Sequence, residues 1–528
     1  MSVVDSTGSG KPKEQSQVSP EQLARQLQQM TARLQAMIPR AAQNGDSFDA
    51  VERQVWESIL QIGKQSMDLL LSLQGDGDLG ETVVTEAGKN LRRSAEKTVT
   101  RIRSIFGEHC FEQFTYSPSK NKRIELRPIS ARICLPEARW SFLLEEFSQL
   151  FTVESAFNQA AKNLSSVLGG AFSVDTLEQT SRRMGQQADS FLDELPQPDA
   201  GSEAKLLVAS ADCKGVPLLK KDADKVAAFE TAKKRPGNRR MATVASVYSI
   251  DRHFRTPEQI VDALFREEKD KSNRSNESSV SKRPGRPRPK NKNTTAHFPT
   301  VEFDDDKELP ISGIHEGVAW LADQIDSRRR ARQVLVVLMD GQESLWETVA
   351  MHVDFGKRTV GVLDFLHAAV YVWEAASLFH ATKEHREAFT HERLLRLLRG
   401  EVFSVIAGIR RMGSLRELSG EPLDDLNRIC GYFEKHADRM RYDEYLRRGY
   451  PIASGVIEGA CRHLVKDRME RSGMRWTLEG ARSMLNVRAA FQSDHWQRFL
   501  TERRENELKT LHPHRNLLQN YTTLSIDG

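Results

Sequence analysis

Apolar residues recur at helical spacing from Glu21 to about Arg103. Leu23, Leu27, Met30, Leu34 and Met37 form one stripe. Val55, Trp56, Ile59, Leu60 and Ile62 begin another that runs to Leu73, and Gly75-Asp76-Gly77-Asp78 divides the helical stretches. Residues 21–105 therefore read as a helical arm, a small bundle or a coiled-coil-like dimerisation element. Residues 1–20 hold mostly Ser, Gly, Lys, Pro and Gln and are expected to be a disordered tail. Arg101–Phe106 and Ile124–Ile129 read as weak strands. Val153–Leu164, the turn Gly169-Gly170 and Ser173–Arg183 then give helix, turn, helix. That order suits a helix-turn-helix-like DNA-binding region over 106–195, although any helical hairpin shares the pattern.

Past the linker Pro196–Ser202 the period changes, and strands alternate with helices. Lys205–Asp212 reads as a buried strand, with Gly215 turning the chain so that Val216–Leu219 pairs back as a hairpin. Met241–Ile250 is the next strand and Thr256–Phe265 a capped helix. Gln333–Asp340 is a continuous apolar run, expected of a strand buried on both faces, with helices on either side of it in the chain. Thr359–Asp364 is a further strand, and Phe365 opens a long helix. Leu394, Leu395, Leu397, Leu398, Val402, Ile406 and Ile409 line a helical stretch that fills 376–445. The expected architecture is an α/β core over 203–375 and 446–500, interrupted by an all-helical insertion at 376–445 and closed by a tail at 501–528.

Composition narrows the class. The 528 residues carry 77 basic and 73 acidic side chains, so net charge alone implies no polyanionic partner. The basic residues do come in runs, at Lys233–Arg240 and Lys282–Lys292. Gly285-Arg286-Pro287 matches the core of an AT-hook, but three residues in a biased segment read better as a plain basic loop. Five widely spaced cysteines, without a CxxC pair, argue against a disulfide framework or zinc knuckle and fit a reducing cytosol. No apolar run reaches the roughly 18–20 residues that span a bilayer.

Three of the strands end in a carboxylate: Asp212, Asp340 and Asp364. Ligands of α/β sheets gather at the carboxyl ends of strands, and acids meeting there suit hard divalent cations. Asp212, Asp340 and Glu458 form the candidate trio for holding two Mg²⁺ (or Mn²⁺) ions in phosphoryl transfer. Glu458 lies in Tyr450–Lys466, which reads as a turn launching a helix, with Ser454 as N-cap. Arg462 and Lys466 follow Glu458 at four-residue intervals, placing all three on one face, where cations can grip phosphate. Each acid singly is equally an ordinary turn or cap residue; the combination points to chemistry.

Asp340–Trp346, Leu363–His367 and Gly449–Glu458, the last continuing through Arg462–Met469 to Ser472–Trp476, together resemble bacterial insertion-sequence transposases of the ISKra type, distant relatives of Mutator-like transposases. The resemblance is specific over Leu206–Trp496 and strongest over Tyr442–Trp476. It implies an RNase H-like core with a DDE triad of Asp212, Asp340 and Glu458, and an enzyme that cleaves and joins DNA. Asp364 and His367 match a (Cys/Asp)xxHis signature and are expected near the active site, while Arg462, Lys466 and Arg468 are expected on DNA. The implied partners are element-end and target DNA and further copies of the chain, and the implied location is the bacterial cytoplasm at the nucleoid. Two rivals share these features: an RNase H-like nuclease without strand transfer, and a catalytically inactive DNA-binding relative.

Overall fold

The chain folds into two units. The computed structural model describes residues 19–119, 121–199, 201–226, 237–269, 286–304, 307–471 and 473–526. Most of the expected N-terminal tail, the start of the Lys233–Arg240 run and the segment Lys282–Gly285 lie outside the described residues. Among those described, no helix is long and apolar enough to cross a membrane.

The first unit takes the chain up to Thr152, Phe157–Leu177 and everything from Leu500 onward. It opens with two long helices, Pro20–Asn44 and Phe48–Ser72. Ser19 and Gln22 form a reciprocal capping box at the first, and Gly45 ends it at φ +68°. The helical arm stops at Ser72, short of the expected Arg103. Thr82–Val84, Asn90–Arg93 and Tyr116–Ser117 form one small sheet, and Thr98–Ser104 pairs with Gly107–Gln113 as a hairpin. Runs such as Thr82-Val83-Val84 and Thr98-Val99-Thr100 carry the β-branched residues that favour this outcome. The expected C-terminal tail is also folded: Leu517, Leu518 and Tyr521 pack with Leu91, Tyr116 and Leu126.

The helix–turn–helix forms as Phe157–Leu168 and Val174–Asp193, joined through Gly169 and Gly170, both left-handed. Its second helix nevertheless runs on into the second unit, where Met184, Ala188 and Leu192 are buried. A Cβ on Gly185 would come within 2.3 Å of the Ser483 backbone, so this turn is pressed against the helix Leu478–Gln492. Residues 106–195 are thus shared between the units and are not a domain of their own.

The second unit, Val153–Ala156 and Glu178–Phe499, is built on a five-stranded mixed sheet. Its strands are β1 (Leu206–Pro217), β2 (Arg239–Ile250), β3 (Lys290–His297), β4 (Val334–Met339) and β5 (Thr359–Leu363). Their spatial order is β5-β4-β1-β2-β3; β1, β2 and β3 are antiparallel neighbours, and β4 and β5 run parallel to β1. Gly215 does not turn the chain: β1 continues through it, paired with Met241 of β2, to Pro217. The edge strand β3 has no apolar run to reveal it, and it turns part of the expected basic stretch at 286–292 into sheet. Its buried polar residues are satisfied instead, Asn293 by Gln324 and the Thr294 amide by Ser493 Oγ.

The insertion is helical as expected, in Lys383–Leu398, Val402–Leu415, Glu421–His436 and Tyr442–Arg447. It is not a separate body. Leu394, Leu397, Val405, Ile409, Ile429 and Phe433 share one buried cluster with Val208, Val336, Leu338 and Val362 of the sheet and with the helix Phe365–Phe379. The other sheet face is covered by the helices Gly313–Arg328 and Glu343–His352, through Val318, Leu321, Leu345 and Val349.

Candidate active site

Register brings the strand acids into one row. Ala209 of β1 pairs with Val337 of β4, so Asp212 and Asp340, each three residues further on, lie at the same level. Met339 pairs with Leu363 of β5, and Asp340 and Asp364 are the next residues of each strand. Neighbouring strands lie about 4.8 Å apart, and in-register residues share a sheet face. Asp212 therefore sits within a long strand, not at its end as expected. It stands where β4 ends beside it.

Each carboxylate is held by uncharged donors. Asp212 Oδ1 accepts from the Cys213 amide at 2.7 Å, and Oδ2 accepts from the Cys461 thiol at 3.3 Å. Asp340 Oδ1 accepts from the Gln342 amide at 3.0 Å, and its carbonyl accepts from the Trp346 indole at 2.6 Å. Asp364 is fully buried and caps the helix Phe365–Phe379, with Oδ1 on the Leu366 amide at 2.7 Å. Its Oδ2 accepts from both the amide and the hydroxyl of Ser454. None of Asp212, Asp340, Asp364 or Glu458 has a cationic ion-pair partner among the described residues.

Ser454 stands at the head of the short helix Gly455–Ala460, in the N-cap position expected of it. Its hydroxyl does not cap that helix but goes to Asp364, and Phe365 N bonds to Ile452 O at 2.8 Å. The Asp364 corner and the turn before Glu458 are thereby locked together. Ligand atoms of Asp364, His367 and Glu458 all lie within 4.8 Å of one another. The structure thus brings Glu458 to Asp364 and to His367, one helical turn past it; Asp212 and Asp340 are not part of this cluster.

The electrostatics agree with this geometry. Burial pushes the Asp212 carboxyl above its ordinary value, with the negative charge of Asp340 adding to the rise; the Cys461 and Cys213 hydrogen bonds and His367 oppose it. Burial likewise raises Glu458, helped by Asp364 and Asp212 and opposed by His367. Gathering uncompensated carboxylates costs free energy that a bound cation would offset. The oxygen donors of Asp212, Asp340 and Glu458 suit Mg²⁺ or Mn²⁺, and His367 extends the set with a nitrogen.

After Ala460 the helix does not continue regularly. Cys461–Lys466 is a π-helix, followed by one α-turn at Asp467–Met469. Its wider turn breaks the four-residue repeat that placed Glu458, Arg462 and Lys466 on one face; such turns frequently occur at functional sites. Here it directs the Cys461 thiol inward to Asp212 while leaving Arg462 and Lys466 exposed. Arg468 corrects the expectation of a third DNA contact. It is fully buried, lies 4.8 Å over the Trp476 ring and bonds to Met474 Sδ. Trp476 in turn exchanges backbone hydrogen bonds with Pro217 and Leu219, so this block anchors the end of β1. Cys461 and Trp346 were not singled out by sequence for the site, and Ser454 only as an N-cap, because only their contacts across the fold distinguish them from core and cap residues.

No protein-family model matches the chain, and no curated protein matches it by sequence.

Proposed function

We propose that the chain is the DNA transposase of an insertion sequence, an enzyme of metal-dependent phosphoryl transfer built on an RNase H-like core. The observation that carries the proposal is the in-register row Asp212, Asp340 and Asp364, with Glu458 and His367 gathered at Asp364 and none of the four acids ion-paired to Lys or Arg among the described residues. The mixed sheet, with its acids where β4 and β5 end, supports the core assignment.

In this reading Asp212, Asp340 and Glu458 hold divalent ions, which supply Lewis-acid polarisation of phosphoryl oxygens and a lowered pKa for bound water. Asp364, engaged through both oxygens, orients the Glu458 turn. His367 stands close enough to Glu458 to join the ligand set or to meet the scissile phosphate. Arg462 and Lys466, on the exposed side of the same segment, carry charge for DNA backbone. The protein's contribution to rate is positioning and preorganised charge.

A strand-transfer assay tests the proposal. Labelled element-end duplex, a target plasmid and Mg²⁺ or Mn²⁺ are incubated with the full chain. Joining of the element's 3′ end to target is expected. Cleavage that never yields joined product assigns the chain to the nucleases, and binding without cleavage to the inactive relatives.

A further inference from the structure

The helical insertion has no role in the account so far, yet its last long helix touches the turn that carries Asp340. A Cβ on Gly341 would lie 2.3 Å from the Tyr432 ring and 2.6 Å from its hydroxyl, so glycine is required for this approach. Tyr432 stacks on Tyr371 of the Phe365–Phe379 helix, with ring centroids 3.8 Å apart and planes 13° from parallel. Four residues on, His436 packs edge-on to Tyr432, with ring centroids 4.9 Å apart. Lys435 pairs with Glu343, and Arg439 lies 4.3 Å over Trp346, whose indole holds the Asp340 carbonyl. The insertion thus grips the second acid's turn and the helix after it at three points: Gly341, Glu343 and Trp346.

Two buried polar atoms in this arrangement are unexplained by packing, His436 Nδ1 and the Tyr432 hydroxyl. The Tyr432 hydroxyl is buried and has no hydrogen-bond partner among the described residues. A buried unpaired hydroxyl destabilises a fold, and phenylalanine would pack the same ring without that cost. The groups it faces electrostatically are Tyr371, Asp340 and Asp364, and burial together with these neighbours keeps it protonated. It is therefore an unpaired hydroxyl lying against Gly341, the residue next to Asp340.

Building on the metal-dependent reading above, we infer that Tyr432 is a positioning residue of the acid site, its hydroxyl donating to the oxygen ligands gathered at Asp340. The insertion then serves the chemistry directly, by supplying from outside the core a donor that the strands cannot.

The test is Tyr432→Phe in the full chain, read in three ways: thermal melting, Mn²⁺ affinity by titration calorimetry, and cleavage of element-end DNA. Loss of a partner that orients metal ligands typically weakens affinity or activity about 10–100-fold. The inference predicts a melting temperature at or above wild type, together with at least roughly tenfold weaker Mn²⁺ binding and slower cleavage. A purely structural Tyr432 would move the melting temperature alone. Wild-type Mn²⁺ affinity and cleavage in Tyr432→Phe overturn the inference. Gly341→Ala, which drives a methyl group into the ring, reads the same coupling from the other side and is expected to weaken Mn²⁺ binding too. If the wild-type chain binds Mn²⁺ at the acids but cleaves no DNA, the transposase reading fails, while the Mn²⁺ comparison still decides the role of Tyr432.

Discussion

The Cys461 thiol donates a hydrogen bond to Asp212 Oδ2 across 3.3 Å, and so ties the first acid to the segment that carries the third. Burial and the neighbouring Asp212 charge push this thiol's pKa far up, so it stays a donor and is not a thiolate nucleophile. Cys461→Ala removes the donor and should slow cleavage by about tenfold, the scale of a lost hydrogen bond to a charged acceptor. Cys461→Ser restores a donor and should recover most of the rate. Equal rates for Ala, Ser and wild type in single-turnover cleavage would leave Cys461 a packing residue.

Ser454 and Asp364 make a second tie, inside the fold. Ser454→Ala removes one donor from a buried carboxylate and should destabilise the protein by about 1–3 kcal/mol in urea unfolding. Because Glu458 follows on the same short helix, cleavage should fall as well, through Glu458's position. A destabilised protein with unchanged Mn²⁺ affinity and cleavage would confine the clamp to stability.

The raised Asp212 carboxyl gives a pH signature. A carboxyl whose native pKa exceeds its unfolded value, here 3.8, favours the fold fully only below that value. That contribution is lost as pH rises through the native pKa, leaving an ionised Asp212 that costs stability at neutral pH. Asp212→Asn removes the charge, so without metal it should melt a few degrees above wild type at neutral pH, and the gap should close as pH falls toward 4. Mg²⁺ should reverse the order, because only wild type keeps the full ligand set. Thermal melts across pH, with and without Mg²⁺, check both signs; a metal-free Asp212→Asn protein that melts below wild type at neutral pH contradicts this electrostatic account.

Arg462 and Lys466 are exposed on the segment that follows Glu458, whereas Arg468 is internal. Arg462→Gln and Lys466→Gln should each reduce the slope of log binding constant against log salt by about one, with little change in melting temperature. Arg468→Gln should behave oppositely, losing stability by unpacking Trp476. Fluorescence anisotropy on element-end DNA between low and moderate salt separates the two behaviours.

Much of the core was legible because its strands are continuous apolar runs. Val334–Met339 and Thr359–Leu363 emerge at the expected places, each followed at once by its aspartate. The insertion was legible for the same reason, its leucine stripe being strongly periodic. Strand β3 was not, since Lys290–His297 is polar and satisfied by hydrogen bonds from elements distant in sequence. Gly215 misled because a glycine that permits a turn also fits a long strand whose partner is already in register. At the site, Asp340 and Asp364 could be named from strand ends, but Cys461 and Tyr432 could not. A cysteine after an apolar helix and a tyrosine within a helical insertion look like core until the fold sets the thiol on Asp212 and the ring on Gly341.

The most direct measurement is cleavage of element-end DNA in Mg²⁺ by Asp212→Asn, Asp340→Asn and Glu458→Gln, beside end binding by the same proteins. Each variant should lose cleavage by about a thousandfold or more, equivalent to roughly 4 kcal/mol of transition-state stabilisation, and keep near-wild-type affinity for the ends. Wild-type cleavage by any one of them would contradict a shared three-acid metal site.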